Sequence, residues 1–352
     1  MSAVVTSPNT GASVGPERSE GVWAAAWRRF KADRVGVVSL IIVLGFLALI
    51  AASALNLVAK DWQKEVGVPN APPTVLGPRP PEATGVIEQP KGPNVDISAI
   101  DPLAPKYAEW AEKAKTYATS ETVKAETLPL GGDRLGRDVL SKAIKGTEIS
   151  VFVGVLAALV ATFLGTLLGA LSGYLGGKVG DFFEWLYNVF EAVPGILLIF
   201  AFAAVFGRGI GTVVLILGLT GWTGLYRQVR AEFMKHRSRE YVRSAEAIGA
   251  SQISRMFKHI LPNISHVILV RMGLLVVGFI KSEVILSYLG LGVGIDDVSW
   301  GTMLSEAQAE LILGYWWQLV AATAFMCVFV TAFSLMADAA RDALDPKLRG
   351  LE

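Results

Sequence analysis

The residues able to do chemistry are few. Arg271, Lys281 and Glu283 lie inside one long apolar run, 264–289. Ionisable groups inside a membrane span mark a solute or ion path by default, which makes Glu283, and after it Arg271, candidates for a translocation path. The alternative is that all three snorkel to an interface. Lys281 and Glu283 are two residues apart on nearly opposite helix faces, so they are not each other's partner. The three histidines, His236, His259 and His266, do not make the usual three- or four-ligand zinc set, and Pro262 interrupts the spacing of the last two. No metal site is expected. Cys327 is the single cysteine and sits in an apolar run, which excludes an internal disulfide and does not suit an activated nucleophile. Gly177-Lys178 is followed by Val179, so no phosphate-binding loop exists. Neither Gly-x-Ser-x-Gly nor His-Glu-x-x-His occurs. The chain reads as a non-enzyme with no cofactor of its own.

The elements that position these residues are membrane spans. The chain has 352 residues, 52% of them hydrophobic, with a formal net charge of +1. That balance points to several spans and away from nucleic acid. Residues 1–20 read as a disordered tail. Trp23, Trp27 and Phe30, interleaved with bases, predict a helix on the membrane surface. Val35–Val58 is a charge-free first span, long enough for the roughly 20 residues required. Residues 59–148 are polar and irregular, with a short helix expected over 104–119. Asp133 is expected to cap the helix that follows, and Leu135, Val139 and Ala143 to face the bilayer or a neighbouring span. Further spans are predicted at Ile149–Leu175, Trp185–Phe206, Ile210–Tyr226, Ile264–Leu289 and Tyr315–Met336. Gly165, Gly169 and Gly173 repeat every four residues, which lets a neighbouring helix approach closely. The bases at 28–34 and 227–258, against the acidic 291–315, place both termini in the cytoplasm and residues 59–148 outside.

Between the fourth and fifth spans lies a polar stretch, 239–263. Tyr241, Val242, Ala245 and Ile248 share one face of a short helix, an apolar set that must be buried by the chain's own spans or by a partner. Gly249 supplies the left-handed geometry that ends it. Ile253, Met256, Phe257, Ile260 and Leu261 predict a second amphipathic helix, with Pro262 marking its end region.

This stretch resembles the signature loop of membrane subunits of binding-protein-dependent ABC importers: Glu-Ala-Ala, three residues, Gly, nine residues, Ile, one residue, Leu-Pro. Ala245, Gly249, Leu261 and Pro262 match. Arg243 replaces the usual glutamate, Ser244 the first alanine and His259 the isoleucine. The run Leu130–Ser150, the runs 287–293 and 299–304, and the tail Arg341-Asp342-Ala343-Leu344-Asp345-Pro346 resemble the dipeptide, oligopeptide and nickel branch of the same family. The likeness covers about 129–349, and 22–58 more loosely.

That resemblance implies an all-α polytopic fold of six transmembrane helices in the bacterial inner membrane, with a cytoplasmic coupling helix. The parts are a cytoplasmic tail and interfacial helix (1–34), a first span (35–58), an extracytoplasmic segment (59–148), a five-helix core (149–341) with a coupling loop (227–263), and a cytoplasmic tail (342–352). The loop residues Tyr241, Val242, Arg243, Ala245, Glu246, Ile248, Gly249, Leu261 and Pro262 would engage a separate ATPase, which binds the ATP. The implied partners are two ATPase subunits, a second homologous permease, an external solute-binding protein and the bilayer. The implied solute is a peptide, with nickel or an opine as alternatives. Two other classes were weighed. An ion-coupled secondary transporter predicts an internal repeat, and none is visible. A membrane-anchored enzyme working through 59–148 lacks a nucleophile or metal set there.

Overall fold

The computed structural model describes residues 22–79, 101–116 and 124–344. The expected N-terminal disorder and the family-like end of the C-terminal tail lie outside the described residues. Helices dominate, and the only β pairing among the described residues is isolated bridges such as Glu65–Arg137 and Pro73–Leu128. Four helices are long and apolar enough to cross a membrane, or six if each of two bent pairs counts as one span.

Helix α1 (Val22–Ala32) lies against the last span: Ala26 and Phe30 pack on Ala339 and Ala343. It therefore has a buried stripe as well as the exposed Trp27 expected of a surface helix. Asp33 caps α2 (Arg34–Ala54), the first span. The segment that follows is mostly irregular, with a short helix α3 (Tyr107–Thr116) inside the predicted range.

Helix α4 (Val139–Leu175) runs for 37 residues, about 55 Å at 1.5 Å per residue. It outreaches a hydrocarbon core of about 30 Å and so carries side chains out of it. Its glycines let α8 (Thr223–Arg237) come close. A Cβ on Gly165, Gly169 or Gly173 would stand 2.9, 2.8 or 2.5 Å from the carbonyl oxygens of Trp222, Tyr226 and Arg230. Inside a bilayer the hydrophobic effect does not drive helices together, so this close packing supplies the attraction.

Two helix pairs stand where the third and fourth spans were expected, and both are bent. Helices α5 (Gly177–Glu191) and α6 (Gly195–Phe206) meet at 84°. Pro194 forces the break: it lacks an N–H and pushes the preceding residue out of the helical region. Helices α7 (Ile210–Thr220) and α8 bend by 40° at Gly221 and Trp222. Beyond α8 come α9 (Glu240–Ala247), α10 (Gln252–Ser254), a π-helical stretch (Arg255–Ile260) and α11 (Leu261–Tyr288). The sequence placed a helix end near Pro262, but the chain is one continuous helix from Gln252 to Tyr288. The wider π turn just before Pro262 accommodates its ring and missing N–H, so no break is needed. Helix α12 (Trp300–Ile312) and the last span α13 (Trp317–Leu344) complete the chain. Cys327 lies in that span as expected but is exposed on its outer face, not buried.

Candidate coupling loop and a buried charged corner

Helix α9 stands on the ends of α8 and α11. Val242 and Ala245 are 2% and 4% exposed. Val242 packs with Phe233, Met256, Ile260 and Ile264. These two members of the expected apolar face are therefore satisfied by the chain's own spans, the first of the two alternatives that face left open. The reason is that Met256 and Ile260, on the continuous helix, reach back under α9. Ile248, 84% exposed, is the apolar residue left outward. Glu240, Ser244 and Ala247 accompany it on the exposed side.

Tyr241 is half out, its hydroxyl 2.8 Å from His236 Nδ1. Partial burial pushes that phenol above its ordinary value, so it keeps its proton. Glu246 forms an ion pair of 2.5 Å with Arg255. Gly249 has φ +86° and closes the helix, with Ala250 N–H donating to the Ala245 carbonyl at 3.0 Å. A side chain there meets nothing within 4 Å, so the requirement for glycine is conformational rather than steric. Leu261 packs partly into the cluster beneath α9, and Pro262 is exposed.

The ionisable residues of the fifth span separate. Glu283 is 0% exposed. It accepts from Ser287 Oγ at 2.6 Å, while nearby Ser150 Oγ accepts from the Trp300 N–H at 3.2 Å. The carboxyl is enclosed where α11, α4 and the start of α12 meet, so in this conformation it neither lines an open path nor snorkels. Arg271 is half-buried, its guanidinium lying beside Gly224. Lys281 is exposed.

The N-terminal end of α4 holds a charged cluster that the sequence reading missed. Lys142 is 0% exposed. Its three N–H donors reach Asp133 Oδ2 at 2.8 Å, Glu306 Oε2 at 2.5 Å and Gln318 Oε1 at 3.2 Å. Asp133 is not the cap of α4. Asp138 is, accepting from Leu140 N and Ser141 N. Asp133 lies five residues upstream and instead closes the 133–137 turn, accepting from Leu135 N and Arg137 N at 2.9 Å each. Burial pushes its carboxyl up, but Lys142 and Arg137 outweigh burial and hold it below the ordinary range. Glu310 accepts from Arg134 N at 3.0 Å, and burial holds it above its ordinary value. Val139 and Ala143 pack on Val298, Met303 and Trp317, inside the protein and not toward lipid, while Leu135 is exposed. The signal in the sequence was Lys142 itself, a base on the same helical face as Val139.

With this architecture in place, the family can be stated. Residues 165–350 match the model of the binding-protein-dependent transport system inner membrane component, and 21–73 match the N-terminal TM domain of oligopeptide transport permease C. The chain belongs to this transporter family. It is 30% identical over 322 residues to the dipeptide transport system permease protein of Lactococcus lactis, covering 92% of this chain and 90% of the relative. It is 37% identical over 238 residues to the oligopeptide transport system permease protein of Bacillus subtilis (66% and 78% covered). It is 40% identical over 220 residues to the glutathione transport system permease protein of Salmonella typhimurium (62% and 72% covered). As a member of that family it is a multi-pass permease component of the inner membrane. The loop 239–263 and both bent helix pairs fall within the matched region.

Proposed function

We propose that this chain forms half of the translocation path of an ATP-driven importer of short peptides. The observation that carries the reading is α9: a helix outside the spans, fixed from below by Val242 and Ala245, with an outward stripe ending in Ile248. Such a part can pass a rigid-body movement between a docked motor and the spans that hold it. The chain has no phosphate-binding loop, so the ATP is bound by separate ATPase subunits. A second, related permease completes the path, and an external binding protein delivers the solute. A peptide as solute rests on the relatives, whose names specify a dipeptide, an oligopeptide and glutathione. The termini and α9 lie on the cytoplasmic side, supported by the basic residues of α8, α9 and the π turn, and the irregular segment around Val75 lies outside.

Two measurements test this. In intact cells a Val75→Cys chain in a Cys327→Ser background reacts with an impermeant thiol reagent, since Val75 is almost fully exposed. Labelling only after lysis reverses the orientation. In proteoliposomes of the complete transporter, ATP hydrolysis rises when binding protein loaded with a di- or oligopeptide is added. Stimulation by nickel or an opine and not by peptide replaces the solute.

A further inference from the structure

We propose that the chain carries an anion site at the inner end of α4, beside α9, that takes a phosphate-bearing ligand. A cavity of about 600 Å³ opens between the end of α4, the first turn of α5, the end of α8 and the loop helices. Four arginines line it, Arg230, Arg237, Arg243 and Arg255, against two carboxylates, Asp181 and Glu246. Arg255 takes Glu246 at 2.5 Å, and Arg230 takes Glu184, outside the lining, at 2.5 Å. Arg237 and Arg243 have no carboxylate within ion-pair distance among the described residues. The Nε of Arg255 is buried without a hydrogen-bond partner.

Backbone groups converge on the same space. Helix α5 has 15 residues and starts without a side-chain cap. Gly176 and Gly177 before its first turn have φ of +64° and +51°, and a Cβ on Gly177 would meet nothing within 4 Å. Arg237 Nη1 lies 3.4 Å from where a Cβ of Gly176 would stand. The free N–H groups of a helix start, its positive dipole end and unpaired guanidinium groups all favour the same ligand, a compact oxyanion. Guanidinium forks match phosphate oxygens two at a time. Arg237 and Arg255 each lie 5.9 Å from the centre of the Tyr174 ring, a cation–π arrangement that holds both beside the cavity. Two unpaired cations beside one carboxylate suit a singly charged phosphodiester. Phe182 and Trp185 are exposed on the same helix, α5. An anionic phospholipid headgroup and free phosphate share this chemistry. The site needs nothing from the transport reading, because binding is read directly.

The test uses the complete transporter in nanodiscs of phosphatidylcholine alone or mixed equally with phosphatidylglycerol. Native mass spectrometry counts retained phosphatidylglycerol, and inorganic phosphate is titrated by thermal shift in the phosphatidylcholine discs. The wild type retains phosphatidylglycerol, and the Arg237→Gln/Arg243→Gln pair loses at least about tenfold in affinity, the least expected when charge-assisted hydrogen bonds are removed. Gly177→Asp, tolerable at positive φ, puts a carboxylate in the opening and has the same effect. Lys235→Gln/Lys258→Gln removes the same charge outside the cavity and changes affinity less than about twofold. Binding of phosphate without retention of phosphatidylglycerol supports the site and assigns it to the free anion. The proposal is overturned if neither probe binds, or if both double variants lose affinity equally.

Discussion

The two ends of α4 hold charge in opposite ways. At the N-terminal end Lys142 is sealed from solvent, and each of its three donors has an acceptor on a different element: the 133–137 turn, α12 and α13. Trp317 Nε1 adds a bond of 2.6 Å to the Gly132 carbonyl, and Gln318 ties back to Met303 at 3.1 Å. At the C-terminal end two of the arginines around α9 have no acid partner among the described residues. A buried lysine with all three donors met fixes one arrangement, because breaking any of those bonds leaves a desolvated charge. A solvated cluster costs little to rearrange and leaves charge available for another molecule. The corner at the start of α4 is thus built as a clamp and the corner at its end as a contact surface, with a single long helix joining them.

The sharpest way to break that contrast is Lys142→Met. It leaves Asp133 and Glu306 with Arg137, at 2.6 and 3.6 Å, as the counter-charge between them, and a loss of up to about 3–5 kcal/mol is expected. Denaturant unfolding of the purified chain in detergent measures it. The cluster also has a pH signature. Asp133 is held below its ordinary value, so its contribution is complete above the usual carboxylate range and is lost as pH falls through the depressed value. Glu310 is held above its ordinary value, so its contribution is complete at low pH and is lost as pH rises through the raised value. Thermal stability should therefore hold or rise slightly from neutral pH to about 5 and fall below about 4. In Lys142→Met burial is no longer offset by the lysine, so the acid-side loss from Asp133 shrinks. A variant with wild-type stability and an unchanged pH profile would falsify the clamp.

A smaller effect is expected between the two corners. Gly169→Val places methyl groups where the Tyr226 carbonyl and Val229 already stand, 2.8 and 2.9 Å from a Cβ. Parting α4 from α8 should cost about 1–3 kcal/mol, seen as a lowered unfolding midpoint. Since α8 carries α9, ATPase coupling should weaken with it. A normal midpoint would show that the helices can part freely.

The smallest stability change, and the most informative for function, belongs to Ile248→Asp. An exposed side chain contributes within about 0.5 kcal/mol to the chain's own stability, so the variant should fold normally and yet lose the ATPase on co-purification. Ala245→Asp buries a carboxyl against the spans and should lower stability as well. If Ile248→Asp retains the ATPase, the outward stripe is not the contact.

Much of this was decided by local chemistry. The apolar runs marked the four helices long and apolar enough to cross a membrane, because a span must bury its backbone polar groups in its own hydrogen bonds over a fixed length. Gly249 announced a left-handed turn, and the four-residue glycine repeat announced a close neighbour; both are consequences of lacking a Cβ. What needed the tertiary structure were the partners. Nothing local distinguishes an apolar face that meets its own chain from one that meets another, so Val242 and Ala245 fell inward and left Ile248 outside. The helix through Pro262 survived because a π turn absorbed the proline, an adjustment that spacing does not report. Asp133 lies nine residues from Lys142, but Glu306 and Gln318 lie 164 and 176 residues away. Those side chains reach Lys142 only once α12 and α13 have packed against the start of α4.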